Sequence, residues 1–203
     1  MARIAEGRLP AEPTSVEQKE RYRRILRAAN KLGATHDLDH VQMLDVAKEA
    51  GVAIATLYRY FPSKTDLFVA VLHSQVERLS ESALRRPGPG RRADGVAEVL
   101  IAASRRMLER PLLATAMLQA NNAAQLQSGR EFTDANAAFH HTLLTALGVD
   151  EPGEEDFRMI RIVEQTWYGI LVSTLNKVIT LEQSIEDIRL ATRLLLGPTY
   201  DEQ

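Results

Sequence analysis

The chain has no cysteine. Disulfide frameworks, thiolate metal sites and cysteine nucleophiles are therefore excluded. Aromatic residues are scarce, at 5% with a single Trp, while Ala and Leu dominate, which favours helix over strand. No apolar run nears the ~18 residues needed to cross a bilayer, and no signal peptide opens the sequence. A cytoplasmic location is expected. Strand-like alternation and internal repeats are also missing. There is no Walker A motif and no G-x-G-x-x-G. The five His (His36, His40, His73, His140, His141) form no HExxH, and the last two point to different sides of a helix. Neither a catalytic residue nor a metal site nor a cofactor is expected, and the chain reads as no enzyme.

Charge of one sign is not in large excess either: the formal net charge is −2. The distribution is more telling than the total. Residues 1–64 hold 11 Lys/Arg against 8 Asp/Glu, and the remainder holds 14 against 19. A mildly basic head on an acidic body suits local contact with phosphates. With 203 residues and 45% hydrophobic content, the chain can bury a substantial core in one or two domains.

Residues 1–13 carry two Pro and no apolar period, and read as a loose arm in which Arg3 and Arg8 could touch DNA. A helix is predicted over about 15–32, with Tyr22, Ile25, Leu26, Ala29 and Leu32 on one face, Thr14 as its cap and Glu17 three residues on. Its exposed sides are crowded by Arg21, Arg23, Arg24, Arg27 and Lys31. Further helices are predicted over about 42–50, 53–60 and 64–84. Gly51 sits where a helix end wants positive φ, Pro62 ends the third helix, and Ser63 with Asp66 starts the fourth. The run RRPGPGRR (85–92) reads as a loop. Beyond it, helices are predicted over about 95–109, 111–125, 131–147, 154–179 and 181–196, the last capped by Thr180 with Gln183 and stopped by Gly197-Pro198.

The chemistry is concentrated in QMLDVAKEAGVAIATLYRYFPSKTDLF (42–68). A helix-turn-helix needs small residues where its helices pack, a tight reversal, and a second helix free to reach base edges. Ala47 and Ala50 supply the first and Gly51 the second. Val52 and Leu57 can pack inward. Thr56 and Tyr58 offer hydroxyls, and Arg59 can bond to phosphate or a guanine edge. Ala53, Ile54 and Ala55 can meet thymine methyls. Gln42 and Tyr60 join the set of candidate DNA contacts. Lys64, opening the fourth helix, can reach the DNA backbone. Phe61 reads as a core plug.

The run GVAIATLYRYFPSKTDL resembles the TetR family of one-component repressors. Within that family, TLYRYFPSK, RPLLATAM (110–117), the Trp167 region and RLLLG (193–197) look most like actinobacterial regulators of sterol catabolism, the KstR type. Two departures stand out. The recognition helix starts on Ala53 where the family commonly has Ser or Thr, and Ala55 stands where it commonly has Gly. The first removes a cap typically worth ~1 kcal/mol.

The resemblance implies an all-α fold of about nine helices. Residues 1–63 would form the arm and DNA-binding domain. Residues 64–203 would form a ligand-binding and dimerising domain, with the fourth helix linking the two. It implies palindromic double-stranded DNA as partner, an apolar small-molecule effector, possibly sterol- or lipid-derived, and a homodimer. An effector pocket would draw on Met107, Leu113, Met117, Asn121, Phe139, Trp167 and Leu171. The last two helices carry more apolar surface than one face can bury. Their seam with a partner copy would use Ile160, Tyr168, Leu175, Ile188 and Leu195. Two rival readings remain at this stage. A ligand-independent DNA-binding or architectural protein would bind DNA without responding to small molecules. A protein-interaction adaptor would not bind DNA at all.

Overall fold

The computed structural model describes residues 11–83, 92–128 and 134–201. Arg3 and Arg8 of the arm, and the loop expected over 85–92 apart from Arg92, lie outside the described residues. Among the described residues there are nine α-helices and no strand: α1 (Val16–Gly33), α2 (Met43–Ala50), α3 (Ile54–Tyr60), α4 (Lys64–Ala83), α5 (Arg92–Leu108), α6 (Pro111–Ser128), α7 (Asp134–Leu147), α8 (Glu154–Leu175) and α9 (Leu181–Tyr200). The all-α expectation holds. No described helix is long and apolar enough to cross a membrane.

Helix ends show which local signals prevailed. The cap of α1 is Ser15, not Thr14. Its hydroxyl accepts from the Gln18 N–H, and the Gln18 side chain returns to the cap backbone. Thr14 donates to that same Gln18 carboxamide at 2.8 Å. Thr180 and Gln183 make the expected box at the start of α9. α8 stops at Leu175, short of 179, where Lys177 turns the chain at a φ of 59°. A left-handed lysine costs roughly 1–2 kcal/mol. Val178 N–H, bonded to the Ser173 carbonyl at 2.9 Å, helps hold that turn.

Pro198 does not stop α9, which runs on to Tyr200. Proline deletes one intrahelical donor, but only one further turn has to survive it. That turn is tied down. The Tyr200 hydroxyl donates to Asp156 at 2.6 Å, and Asp201 Oδ1 accepts from Ala93 N–H at 3.3 Å. α5 likewise starts before Gly95, at Arg92. Gly95 lies inside the helix because of packing: a Cβ there would come within 2.7 Å of the Ala146 carbonyl oxygen of α7.

The chain divides into two compact units, and the line differs from 1–63 and 64–203. One unit holds residues 1–72 with 112–131; the other holds 73–111 with 132–203. In the first, α1 packs on α2 and α2 on α3. Ile25, Ala29, Val46, Leu57, Leu67 and Phe68 are fully enclosed. Gly33 lets Phe68 and Leu113 come so close that a Cβ would meet them at 2.8 and 2.9 Å. In the second, α5 packs on α9 and α7, and α8 packs on α9 and α7. Its core includes Leu100, Leu143, Leu147, Ile160, Leu171, Ile188 and Leu196.

Candidate nucleic-acid interface

The reader is built around the turn at Gly51. Its φ of 63° and ψ of 42° are a left-handed cap that a side chain would strain. The Val52 N–H reaches back to the Ala47 carbonyl at 3.0 Å and closes the end of α2. Val46, Ala47 and Ala50 are buried, so α2 sits close to its neighbours. α3 then starts on Ala53, extended at φ −65° and ψ 142°, with no side-chain hydrogen bond at its cap. The bond that Ser or Thr would make there is missing.

One face of α3 is spent inward. Leu57 is fully enclosed and Tyr60 is 2% exposed. Tyr60 and Phe61 close on Tyr22 of α1, with ring centroids 5.8 Å apart edge-on and 4.9 Å apart respectively. Tyr60 therefore serves the plug together with Phe61, which corrects its place among the groove-facing candidates. Ala53, Ala55, Tyr58 and Arg59 are exposed, Ile54 and Thr56 are half-buried, and Gln42 is exposed at the cap of α2. The Arg59 guanidinium rests 5.1 Å from the Tyr60 ring centroid and donates to its hydroxyl at 3.3 Å. The Arg59 carbonyl, at the end of α3, accepts from Ala11 N–H at 3.0 Å, so the segment before α1 is pinned beside the reader.

α4 opens with the expected box: the Ser63 N–H and hydroxyl both donate to Asp66, and Asp66 N–H donates back to the Ser63 hydroxyl at 3.1 Å. Lys64 is placed differently from expectation. Its ammonium donates to the carbonyls of Leu38, Asp39 and Val41 at 2.6, 3.3 and 3.1 Å. Arg24, one of the basic residues crowding α1, puts Nη1 3.7 Å from where a Gly51 Cβ would stand. The signal for it was only its place in a crowded basic helix.

The residues expected to line a pocket fall in both units. Leu113, Met117 and Asn121 belong to the first; Met107, Phe139, Trp167 and Leu171 belong to the second. Leu113 fills the space over Gly33. The Phe139 and Trp167 rings meet at a tilt of 44° with centroids 5.2 Å apart, and the Trp167 Nε1–H donates to the enclosed Ser104 hydroxyl at 2.9 Å. The same unit encloses a further polar pair, His140 Nε2 and Glu164, with side chains only 6% and 12% exposed. Its signal was legible, since Glu164 interrupts the stripe Ile160, Trp167, Leu171 at helical spacing. An open cleft of about 370 Å³ between α5 and α9 is lined by Asp94, Ala97, Glu98, Arg189 and Arg193. It is polar and includes none of the expected lining.

The seam residues also separate. Ile160 and Ile188 are 0% and 1% exposed within this one chain, so they have no surface left for a partner. Tyr168, Leu175 and Leu195 are half-buried. Leu190 and Leu194, one turn apart on α9, are 51% and 67% exposed. Gly169 on α8 is exposed, and a Cβ there would meet nothing.

Residues 25–71 match the family described as bacterial regulatory proteins, tetR family, and residues 90–195 match the tetracyclin repressor-like C-terminal domain. The chain is 33% identical over 185 residues to the HTH-type transcriptional repressor KstR of Rhodococcus jostii, covering 91% of this chain and 86% of that one. A TetR transcriptional regulator from Rhodococcus sp. RHA1 superposes with a TM-score of 0.81 at 41% identity, over 90% of this chain and 99% of that one. FadR of Thermus thermophilus, solved in complex with lauroyl-CoA, shares the fold at 19% identity and a TM-score of 0.65, over 88% and 94% of the two chains.

Proposed function

Because the chain belongs to the TetR family, and is a DNA-binding transcriptional regulator and not an enzyme, we propose that it acts in the cytoplasm as a repressor that grips a palindromic operator as a homodimer and is released by an apolar small-molecule effector. The observation that carries this is the reader's geometry. Gly51 sets the reversal, Leu57 is enclosed beneath α3, Ala53, Ala55, Tyr58 and Arg59 are left outward, and Gln42 is exposed at the cap of α2. In this reading residues 1–63 read DNA and 64–203 sense and pair. Tyr58 and Arg59 bond to the duplex, while Ala53, Ile54, Ala55 and Thr56 meet base edges.

Two-fold pairing would set half-site centres about 34–36 Å apart or a multiple of that. Tyr168, Leu175, Leu190, Leu194 and Leu195 form the seam, and Gly169 marks where a partner helix can approach closely. Leu190→Asp should yield monomers by light scattering.

The effector class rests on the likeness to KstR-type regulators of sterol catabolism and on the apolar character of Met107, Phe139, Trp167 and Leu171. A protein of the same fold, the Thermus FadR, holds lauroyl-CoA. Such a ligand releases DNA only by preferring the conformer that fits the groove badly. The test is a gel shift on duplex from upstream of the chain's own coding sequence, with and without sterol- or fatty-acyl-derived ligands. Binding by the wild type, loss in Arg59→Ala and release by ligand are expected. Binding indifferent to every such ligand would leave a ligand-independent DNA binder. No binding at all would leave an adaptor.

A further inference from the structure

We propose that Lys64 controls operator binding as a positioning residue, by fixing the start of α2, and not as a phosphate ligand. The inference rests on the DNA-binding reading above and deepens it. An ammonium has three donors. Those of Lys64 have three carbonyl acceptors, Leu38, Asp39 and Val41, at 2.6, 3.3 and 3.1 Å. To reach a phosphate, the side chain must abandon all or part of that cage. A cation at the first position of a helix also opposes the helix dipole, so Lys64 does not serve α4 itself. The carbonyls account for its place.

The caged segment is the connection from α1 to α2. Its far end is fixed as well. Asp37 accepts from the His40 N–H at 3.0 Å and meets the His40 ring at 2.7 Å. Val41 is 3% exposed and anchors the segment from beneath. The next residue, Gln42, is the cap of α2 and has no side-chain capping bond of its own. Where α2 begins is therefore set by residues 38–41 before it, and three of their carbonyls (Leu38, Asp39 and Val41) are held by one ammonium from α4. Arg59 makes the opposite case. Its guanidinium is exposed, held by one 3.3 Å bond to a neighbouring hydroxyl, and free to turn to a phosphate.

The two roles differ in how binding depends on salt. Each cation that neutralises a phosphate adds about 0.9 to the slope of log affinity against log salt. The probe is a duplex enriched from random-sequence DNA by the wild-type protein. Its affinity is measured across a salt series, well below the melting temperature of every variant, for wild type, Lys64→Met, Lys64→Arg and Arg59→Ala. Lys64→Met should weaken binding about tenfold, the size expected for losing charged hydrogen bonds, with the slope unchanged. Arg59→Ala removes one cation from each subunit of the proposed dimer and should lower the slope by about two. Lys64→Arg keeps the charge, but its planar fork does not match three converging carbonyls, so it should stay weak.

A slope lowered by about two in Lys64→Met overturns the proposal, as does full rescue by Lys64→Arg. So does a Lys64→Met protein that melts earlier yet binds as tightly as wild type, since its lysine would then only stabilise the fold. A wild-type protein that enriches no duplex sinks the DNA-binding reading itself, and this assignment with it.

Discussion

The two units are held together by different means. In the unit that reads DNA, ion pairs stay at the surface. Arg27–Glu20 and Lys31–Glu49, both 2.6 Å, have side chains between 37% and 69% exposed. Its interior is closed by the Tyr22, Tyr60 and Phe61 rings and by backbone bonds at helix ends. In the other unit polar bonds run inside. Trp167 meets Ser104, His140 meets Glu164, and the Ser80 and Thr142 hydroxyls share a proton-bearing contact of 2.5 Å. Packing, with the Lys64 bonds to the α1–α2 connection, gives the reader one shape to offer a fixed groove. Directional bonds give the body one arrangement too, at the cost of a penalty whenever a partner is removed.

The sharpest way to break that contrast is His140→Leu. It strands a buried carboxylate at Glu164, and chemical denaturation should show a loss of about 3 kcal/mol, mostly recovered in the His140→Leu/Glu164→Leu double variant. Lys31→Ala, breaking an exposed pair in the reader, should lose about 0.5 kcal/mol or less. Equal losses would erase the distinction.

Glycines extend it. Gly95→Ala drives a methyl into the Ala146 carbonyl and should lose about 2 kcal/mol. Gly51→Ala has room, its nearest atom being 3.7 Å away, and loses only the left-handed preference, about 1 kcal/mol.

Tyr200→Phe tests the end of α9 through pH. The Tyr200 hydroxyl, then the Gly153 N–H, hold Asp156 below the usual carboxylate range. That contribution is complete above the ordinary carboxylate value of about 4 and fades as pH falls through the lower folded value. Burial first, then Asp156, push the Tyr200 phenol up. Its share is complete below about pH 10 and fades as pH rises through the folded value. The variant should lose about 1 kcal/mol, discounted for partial exposure, with a flat difference between about pH 5 and 9 that closes in acid.

The smallest expected effect is a gain. Ala53→Ser supplies the missing cap of α3 and should stabilise the reader by about 0.5–1 kcal/mol, seen as a raised melting temperature.

The reader was largely legible because its signals are local. Gly51, Ser63 with Asp66, and Pro62 each act within four residues of themselves. Other features depend on distant partners. Lys64 looks like any exposed lysine until carbonyls 23 to 26 residues away are placed around it. Pro198 ends a helix or not according to whether the next turn has something to hold, and Asp156 is 44 residues before Tyr200. Ile160 and Ile188 sit on helices that are apolar on more than one side. Periodicity shows that such faces exist without saying which one turns inward. Ser15 displaced Thr14 by a single residue, since both can cap and only geometry chooses.

The closing turn of α9 has a consequence for synthesis. Chains leave the ribosome N-terminus first, at about 5–20 residues per second, and contacts far apart in sequence must wait for their later member. The reader's core is complete once α6 has emerged and brought Leu113 over Gly33. The body's waits longer: Ala93 meets Asp201 108 residues on, and Asp156 meets Tyr200 44 residues on. The DNA-reading unit can therefore close earlier in translation than the body, whose closing contacts span far more of the chain.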